Sequence, residues 1–179
     1  MTRIVAVVGM PGSGKGVLSR IAIDAGIPVF AMGDIVRSAL QQAGLEETPE
    51  NVGATALSIR TRHGEAFVAE RMLERLSDQA APLVIIEGVR QPEEMEVFRN
   101  AFGAEFSILA ILSDETTRVE RVIARGRGED GDAEAFRARE ARESAWGLPD
   151  LIAGADHSLH NDTDLATFES RCAAWLGAA

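Results

Sequence analysis

The sequence predicts an α/β fold, a parallel β-sheet of five strands with helices on both of its faces. Short apolar runs recur along the chain, as expected of buried strands, and segments rich in helix-forming residues separate them. With 179 residues, 46% of them hydrophobic, the chain suits a single domain, residues 1–179, with a substantial core. The five predicted strands are residues 4–8, 28–31, 83–86, 106–111 and 157–160.

A glycine-rich loop that contains the only lysine of the chain follows the first strand. Its residues are Gly9, Met10, Pro11, Gly12, Ser13, Gly14, Lys15 and Gly16. Glycines let successive backbone N–H groups turn inward around a phosphate, and a helix beginning near Gly14 adds the positive end of its dipole. Strand, loop and helix stand in the order of a phosphate-binding loop; the alternative is a glycine-rich turn that carries a lysine by chance. The loop predicts binding of a nucleoside triphosphate.

Composition and charge narrow the class of protein. The formal net charge of −10 argues against non-specific binding to nucleic acids or anionic membranes, because such binding requires a basic surface. No stretch approaches the ~20 apolar residues of a membrane span, and the N-terminus lacks a signal-peptide pattern, so we expect a cytoplasmic protein. We expect a buried thiol at Cys172 and core positions for Trp146 and Trp175.

The predicted helices have recognisable starts and stops. Gly26 can end the first helix, Thr48 followed by Pro49 predicts the start of another, and Ser113-Asp114-Glu115 opens a third. Between the second and third strands, residues 34–80 contain two or three helical patterns, which is more than a simple crossover needs. We expect this helical insertion to bind the phosphoryl acceptor.

Charged residues follow two of the strands, at the sheet edge where ligands bind in open α/β folds. Asp34 and Arg37 come after the second strand, and Arg37 suits an acceptor phosphate; the alternative is a helix cap at Asp34 with a solvated arginine. Glu87 ends the third strand, and Arg90 follows it. A carboxylate in this position is expected to face Mg²⁺, and its alternative is an ordinary surface turn.

Arginines are concentrated in residues 118–142, at positions Arg118, Arg121, Arg125, Arg127, Arg137, Arg139 and Arg142. The first three share a helical face, and the glycines that follow favour a lid that closes arginines onto the triphosphate and excludes water. The alternative is a solvated surface neutralised by nearby glutamates, which are Glu115, Glu120, Glu134, Glu140 and Glu143.

The order and spacing of four segments resemble those of adenylate kinase and the nucleoside monophosphate kinase family. The segments are residues 9–16, Gly33-Asp34-x-x-Arg37, Glu87-Gly88-x-Arg90 and Arg127-x-Glu129-Asp130. Over nearly its whole length, the chain more closely resembles a group of archaeal P-loop proteins related to adenylate kinase and dephospho-CoA kinase. The resemblance implies a P-loop NTPase fold of the nucleoside monophosphate kinase type, with a helical acceptor-binding insertion and a short lid.

The resemblance also implies ATP and Mg²⁺ as ligands and assigns roles to the site residues. Lys15 and the lid arginines, Arg121 and Arg127 among them, would stabilise the transferring group. Arg37 and Arg90 would clamp the acceptor phosphate, and Glu87 would be an outer-sphere partner of Mg²⁺.

Some positions depart from the family pattern. Gly16 replaces the Ser or Thr of most phosphate-binding loops, as it does in adenylate kinases, so this position supplies no hydroxyl ligand to the metal. On the acceptor side, Ala31-Met32-Gly33-Asp34 stands in place of Thr-Gly-Asp. Likewise Glu87-Gly88-Val89-Arg90 stands in place of Asp-Gly-x-Pro-Arg. These departures leave the residues expected to bind ATP unchanged. They fall on the acceptor side, so the identity of the phosphoryl acceptor stays open.

Three functions follow from these observations. The first is transfer of the γ-phosphoryl group of ATP to a nucleotide or nucleotide-like small molecule. A phosphate acceptor needs no strong base, whereas a hydroxyl acceptor, as in dephospho-CoA kinase, would use Asp34 as the base. The second is slow ATP hydrolysis that regulates a partner protein. The third, a nucleic-acid-binding ATPase, would require a basic stripe that this chain lacks.

The expected partners are a nucleoside triphosphate and a small phosphorylated or nucleotide-like acceptor. We expect no nucleic acid or membrane partner, and a monomer or homodimer.

Overall fold

A computed structural model describes residues 2–125 and 133–178 of the chain. In chain order the elements are β1 Arg3–Val8, α1 Lys15–Asp24, β2 Val29–Ala31, α2 Gly33–Gln42, α3 Pro49–His63, α4 Phe67–Leu76, β3 Leu83–Glu87, α5 Pro92–Phe102, a 3₁₀ turn Gly103–Glu105, β4 Phe106–Leu112, α6 Glu115–Arg125, α7 Ala133–Ala145, α8 Leu148–Ala153, β5 His157–His160 and α9 Leu165–Ala178.

The five strands form one parallel sheet in the order β2-β3-β1-β4-β5. The central strand β1 pairs with β3 from Arg3 opposite Leu83 to Val7 opposite Glu87, and with β4 on its other side. This arrangement confirms the predicted fold class. The carboxyl ends of all five strands lie at one edge of the sheet, and the loops that follow them form the site described below.

The side chains of β1 alternate between two hydrophobic clusters. Ile4, Ala6 and Val8 contribute to a cluster with α2, α3, α4, α5 and α8, whereas Val5 and Val7 contribute to one with α1 and α9. The sheet is therefore covered on both faces, which explains why its central strands are apolar throughout. Cys172 lies in the second cluster, where burial raises the pKa of its thiol to about 11.

The predicted helical insertion contains α2, α3 and α4, between β2 and β3. Its middle helix begins as the sequence indicated, because the Thr48 hydroxyl accepts a hydrogen bond from the Asn51 backbone N–H at 3.2 Å and Pro49 occupies the first turn. Asp114 caps α6 by accepting from the Thr117 N–H at 2.9 Å. Among the described residues, no helix is long and apolar enough to cross a membrane.

Candidate active site

Two glycines shape the loop between β1 and α1. Gly12 has φ +79° and Gly14 has φ +108°, a backbone conformation that side chains disfavour. A Cβ at Gly12 would lie 2.6 Å from the Arg118 carbonyl oxygen, and one at Gly14 would lie 2.2 Å from Nδ2 of Asn161. Because α1 begins at Lys15, the N–H groups of Lys15 and Gly16 precede its first backbone hydrogen bond, which the Val17 N–H donates to the Gly14 carbonyl oxygen at 2.9 Å, and they are available to an anion.

The Lys15 ammonium group is held against the loop. Its Nζ atom donates hydrogen bonds to the carbonyl oxygens of Gly9, at 2.5 Å, and Met10, at 3.1 Å. Burial lowers the pKa of Lys15 from 10.5 to about 8; the charge of Glu143 opposes this decrease and that of Arg90 adds to it. A phosphate oxygen in the loop would favour the charged form of this ammonium.

Glu87, at the end of β3, is held by a serine from α1. The Ser19 hydroxyl donates to Oε2 of Glu87 and also contacts the Lys15 carbonyl oxygen at 3.2 Å. Sequence reasoning missed Ser19, which lies one turn beyond Gly16 on α1. Carboxylate and hydroxyl oxygens are hard donors that suit Mg²⁺. Within the part of the chain that the structure describes, no group of three or more His, Cys, Asp or Glu could hold a metal. An ion here would therefore take its other ligands from phosphates and water.

A cavity of about 450 Å³ opens above the loop and the carboxyl end of the sheet. Its size falls within the usual range for small-molecule sites. The structure brings most of the predicted site residues together on its wall, namely residues 11–16, Arg37, Glu87, Arg90 and Arg121.

A second cavity of about 200 Å³ lies between α2, α3 and α7. Both cavities are lined by Gly33, Arg37, Arg90 and Arg139. The two cavities therefore adjoin at three arginines. Much of the remaining wall is formed by small or apolar residues, which are Val36, Val52, Gly53, Ala56, Ala135, Ala138 and Trp146. The site thus has a larger cavity at the phosphate-binding loop, which we name the donor cavity after the predicted ligand ATP, and a separate compartment beside it.

Arg37 reaches the junction of the cavities, but Asp34 does not. The Asp34 carboxylate accepts from Nη1 of Arg37 at 3.1 Å, and Glu47 accepts from Nε of the same arginine at 3.0 Å. Asp34 is itself absent from the walls of both cavities. Its contact orients Arg37 and leaves the carboxylate outside the space where a substrate would react.

Glu143 of α7 is a buried carboxylate between two of the junction arginines. Its Oε1 accepts a hydrogen bond from Nε of Arg139 at 3.0 Å and forms an ion pair with Nε of Arg90 at 2.9 Å. Burial by itself would raise the pKa of Glu143, but the positive charges of Arg90, Arg139 and Lys15 outweigh burial and lower it to about 2. The sequence suggested only a solvated, neutralising glutamate here. The structure places this carboxylate inside the site, where it fixes both guanidinium groups.

Asn161, directly after β5, connects the phosphate-binding loop with Arg121. Its buried side-chain amide donates to the Ser13 carbonyl oxygen at 2.8 Å, and its Oδ1 accepts from Nη2 of Arg121 at 3.2 Å. Its backbone N–H is bonded to the Leu112 carbonyl oxygen at 2.7 Å, which anchors it to the end of β4. Sequence reasoning missed this residue because no local pattern marks it.

The arginines of residues 118–142 have different environments. Arg118 is buried and bonds to Glu140 of α7 and, at 3.2 Å, to the Pro11 carbonyl oxygen, so it ties the loop to α7 and does not face the cavities. Arg121 and Arg139 line the donor cavity. Arg127, which we predicted to be catalytic, lies outside the described residues.

A buried ion pair lies beneath the second cavity. Nη2 of Arg60 donates to Oε1 of Glu94 at 2.6 Å, and the other carboxylate oxygen of Glu94 accepts from the Arg90 backbone N–H at 2.9 Å. The Arg60 guanidinium also lies 4.5 Å from the centroid of the Trp146 ring. We expected Trp146 in the core. It packs against the first hydrophobic cluster, and it also lines the second cavity.

The sequence is similar to known families over most of its length. A family model described as AAA domain matches residues 8–137. A UPF0200 protein of Hyperthermus butylicus is 42% identical over 168 residues, which cover 93% of this chain and 89% of that protein. A UPF0200 protein of Methanosarcina mazei is 38% identical over 169 residues, which cover 94% of this chain and 90% of that protein.

The fold is also similar to a solved structure. The crystal structure of TT1252 from Thermus thermophilus matches with a TM-score of 0.64 at 21% identity, covering 99% of this chain and 97% of that one. At this identity the match supports the fold alone. The sequence matches confirm the relationship to archaeal P-loop proteins that the sequence motifs indicated: the chain belongs to the AAA domain family and to the UPF0200 proteins.

Proposed function

We propose that the protein is an ATP-dependent phosphotransferase that moves the γ-phosphoryl group of ATP to a nucleotide or nucleotide-like small molecule. The observation that carries this proposal is the contact between two cavities at Arg37, Arg90 and Arg139. One cavity contains the phosphate-binding loop, and the other is large enough to hold part of a second substrate. Phosphoryl transfer depends mainly on positioning and on neutralising charge, and arginines at the junction supply both.

On the donor side, the first-turn N–H groups of α1 and the Lys15 ammonium would hold the β- and γ-phosphates. Arg121, held by Asn161, would place a second positive charge at the transferring group. Glu87, fixed by Ser19, is the carboxylate that would contact Mg²⁺. Mg²⁺ held there would supply positive charge that neutralises the phosphates during transfer.

On the acceptor side, the geometry favours a phosphate over a hydroxyl group. A hydroxyl acceptor needs a base, but Asp34 is paired with Arg37 and lies outside both cavity walls. A phosphate acceptor needs positive charge, and Arg37, Arg90 and Arg139 would provide it. We therefore infer that the acceptor is phosphorylated, and that the compartment between α3 and α7 holds the rest of it.

The test is phosphoryl transfer from labelled ATP, with Mg²⁺, to a panel of acceptors containing AMP, other nucleoside monophosphates and dephospho-CoA. Label should move to a phosphorylated acceptor, and Lys15→Ala should abolish the transfer. Arg37→Ala should impair transfer severely, whereas Asp34→Asn should be close to wild type. Arg137→Ala is the matched control, because Arg137 is exposed on α7 and should have no effect.

Two results would reject this proposal. Steady release of phosphate that no acceptor stimulates would exclude the transferase and favour the slow ATPase that regulates a partner protein. Loss of turnover in Asp34→Asn with intact substrate binding would make the acceptor group a hydroxyl, as in dephospho-CoA kinase. Repeating the panel with GTP as donor would show which nucleotide the loop accepts.

A further inference from the structure

The cavity between α2, α3 and α7 is rich in arginine, although the chain has a formal net charge of −10. Within the described residues, its wall contains five arginines, Arg37, Arg60, Arg90, Arg139 and Arg142, and two glutamates, Glu50 and Glu143. An excess of cations around a cavity attracts anionic ligands, and the low-dielectric walls concentrate the effect.

Four of these arginines have carboxylate partners: Arg37 pairs with Asp34 and Glu47, Arg60 with Glu94, and both Arg90 and Arg139 with Glu143. Arg142 differs from them. Within residues 2–125 and 133–178, its Nε atom is buried and has no hydrogen-bond partner. Buried donors are nearly always satisfied. Arg142 lines the cavity, and it is the arginine of this wall to which the described residues supply no carboxylate partner, so its guanidinium is the one that an anionic ligand would complete.

The surroundings of Arg142 hold its guanidinium at the cavity wall. Its Cζ atom lies 5.6 Å from the centroid of the Trp146 ring. A Cβ on Gly53 of α3 would lie 2.9 Å from Nη1 of Arg142, so the glycine leaves the room that the guanidinium occupies. Glycine is unfavourable inside a helix, and here its lack of a side chain has a specific use.

Position and charge separate Arg142 from the phosphate-binding residues. It lines only the second cavity, whereas Arg37, Arg90 and Arg139 line both. Burial lowers the pKa of Arg142; Glu143 opposes this decrease, and the neighbouring arginines Arg139 and Arg90 add to it. Arg142 therefore places a positive charge in the second cavity, away from the phosphate-binding loop.

We propose that Arg142 binds a second anionic group of the acceptor, separate from the phosphate that receives the phosphoryl group. The substrate class is then a small molecule with two anionic groups, one at the junction arginines and one at the far wall between α3 and α7. This inference rests on the proposed function, because it takes the same cavity as the acceptor site.

The experiment measures binding and needs no turnover. Trp175→Phe leaves Trp146 as the only tryptophan, and its fluorescence reports on the cavity that it lines. With the donor loop saturated by a non-hydrolysable ATP analogue, two pairs of compounds are titrated that differ by one anionic group. The pairs are AMP with adenosine 3′,5′-bisphosphate, and glycerol 3-phosphate with 3-phosphoglycerate.

We expect the second anion to improve affinity by about tenfold in at least one pair, as a charge-assisted hydrogen bond does. Arg142→Ala should remove this gain while leaving the affinity of the singly charged partner unchanged. Arg142→Lys, which keeps the charge but lacks the fork, should retain part of it. Arg137→Ala, on the exposed part of the same helix, should retain all of it.

The proposal is wrong if the second anion improves neither pair in the Trp175→Phe protein. It is also wrong if both Arg142→Ala and Arg142→Lys leave the gain in affinity unchanged. Where Arg142→Ala does not fold, Arg142→Lys decides the question.

Failure of this proposal is distinct from failure of the proposed function. Transfer to AMP without any gain from a second anion would remove only the role of Arg142. A gain from the second anion without any transfer would remove only the phosphotransferase.

Discussion

Removal of the Glu94 carboxylate should destabilise the protein strongly. The Glu94 side chain is 0% exposed and that of its partner Arg60 is 4% exposed. One carboxylate oxygen accepts from Arg60 at 2.6 Å, and the other accepts from the Arg90 backbone N–H at 2.9 Å. Glu94→Ala deletes both hydrogen bonds and, among the described residues, leaves the buried Arg60 guanidinium with only the half-exposed Glu65 carboxylate, 3.9 Å from its Nε atom.

Loss of one partner from a buried ion pair costs about 3–5 kcal/mol, against a total free energy of unfolding of about 5–15 kcal/mol. With a urea dependence of about 2 kcal/mol/M, the midpoint of urea unfolding should fall by about 1.5–2.5 M. The double variant Arg60→Met/Glu94→Leu should recover most of this loss, because it removes both charges and fills their volume with apolar atoms. Circular dichroism at equilibrium in urea measures all three proteins.

Glu74→Ala is the matched control. Glu74 pairs with Arg71 at 2.7 Å on the same side of the sheet, but the two side chains are well exposed, so we expect a loss below about 1 kcal/mol. A midpoint shift below about 0.5 M for Glu94→Ala would refute the reasoning. So would a double variant no more stable than Glu94→Ala, because it would show that the apolar replacement does not compensate for the pair.

Three further predictions follow. Because the pKa of Lys15 is lowered to about 8, ATP binding near pH 8 should take up protons and weaken as pH rises; calorimetry in buffers of different ionisation enthalpy measures this, and a buffer-independent heat would contradict it. Asn161→Ala should lower kcat by about tenfold and add little in an Arg121→Ala background, as steady-state kinetics of the single and double variants will show. The pKa of Glu143 is lowered from 4.5 to about 2, so its ionised form stabilises the fold above pH 4.5 and this stability is lost as pH falls towards 2. The difference in unfolding free energy between wild type and Glu143→Gln should therefore shrink over that interval in urea titrations.

The sheet and the phosphate-binding loop were predictable because their signals are local. Each strand is a short run with a turn or loop signal beside it, and the ends observed differ from those predicted by no more than one residue. The loop follows from its own glycines, whose positive φ angles at Gly12 and Gly14 need no distant information. Thr48 marks the start of α3 by a hydrogen bond to a residue three positions later.

The remaining parts of the site depend on contacts between distant segments. Asn161 and Ser13 are 148 positions apart, and no pattern near either residue links them. Arg118 and Arg121 have helical spacing, but one is buried against Glu140 and the other lines the donor cavity, because α7 covers only part of their helix. Glu143 belongs to a segment with alternating charges that suits a solvated surface, and its contact with Arg90, in the loop after β3, joins it to the site.

Lysine and arginine occupy different parts of the site, and the chemistry of each suits its position. Lys15 serves the donor side alone, and its ammonium group can lose its proton near neutral pH when it is buried. Within the described residues, the cations that line the junction and the second cavity are arginines, whose guanidinium groups remain charged and whose forks are fixed by carboxylates such as Glu143 and Glu94. If the protein acts as proposed, a pH-dependent step in catalysis would report on Lys15 and the nucleotide, whereas geometry would set the selection among acceptors. The fixed positions of these arginines, and the carboxylates that hold them, determine which anion fits.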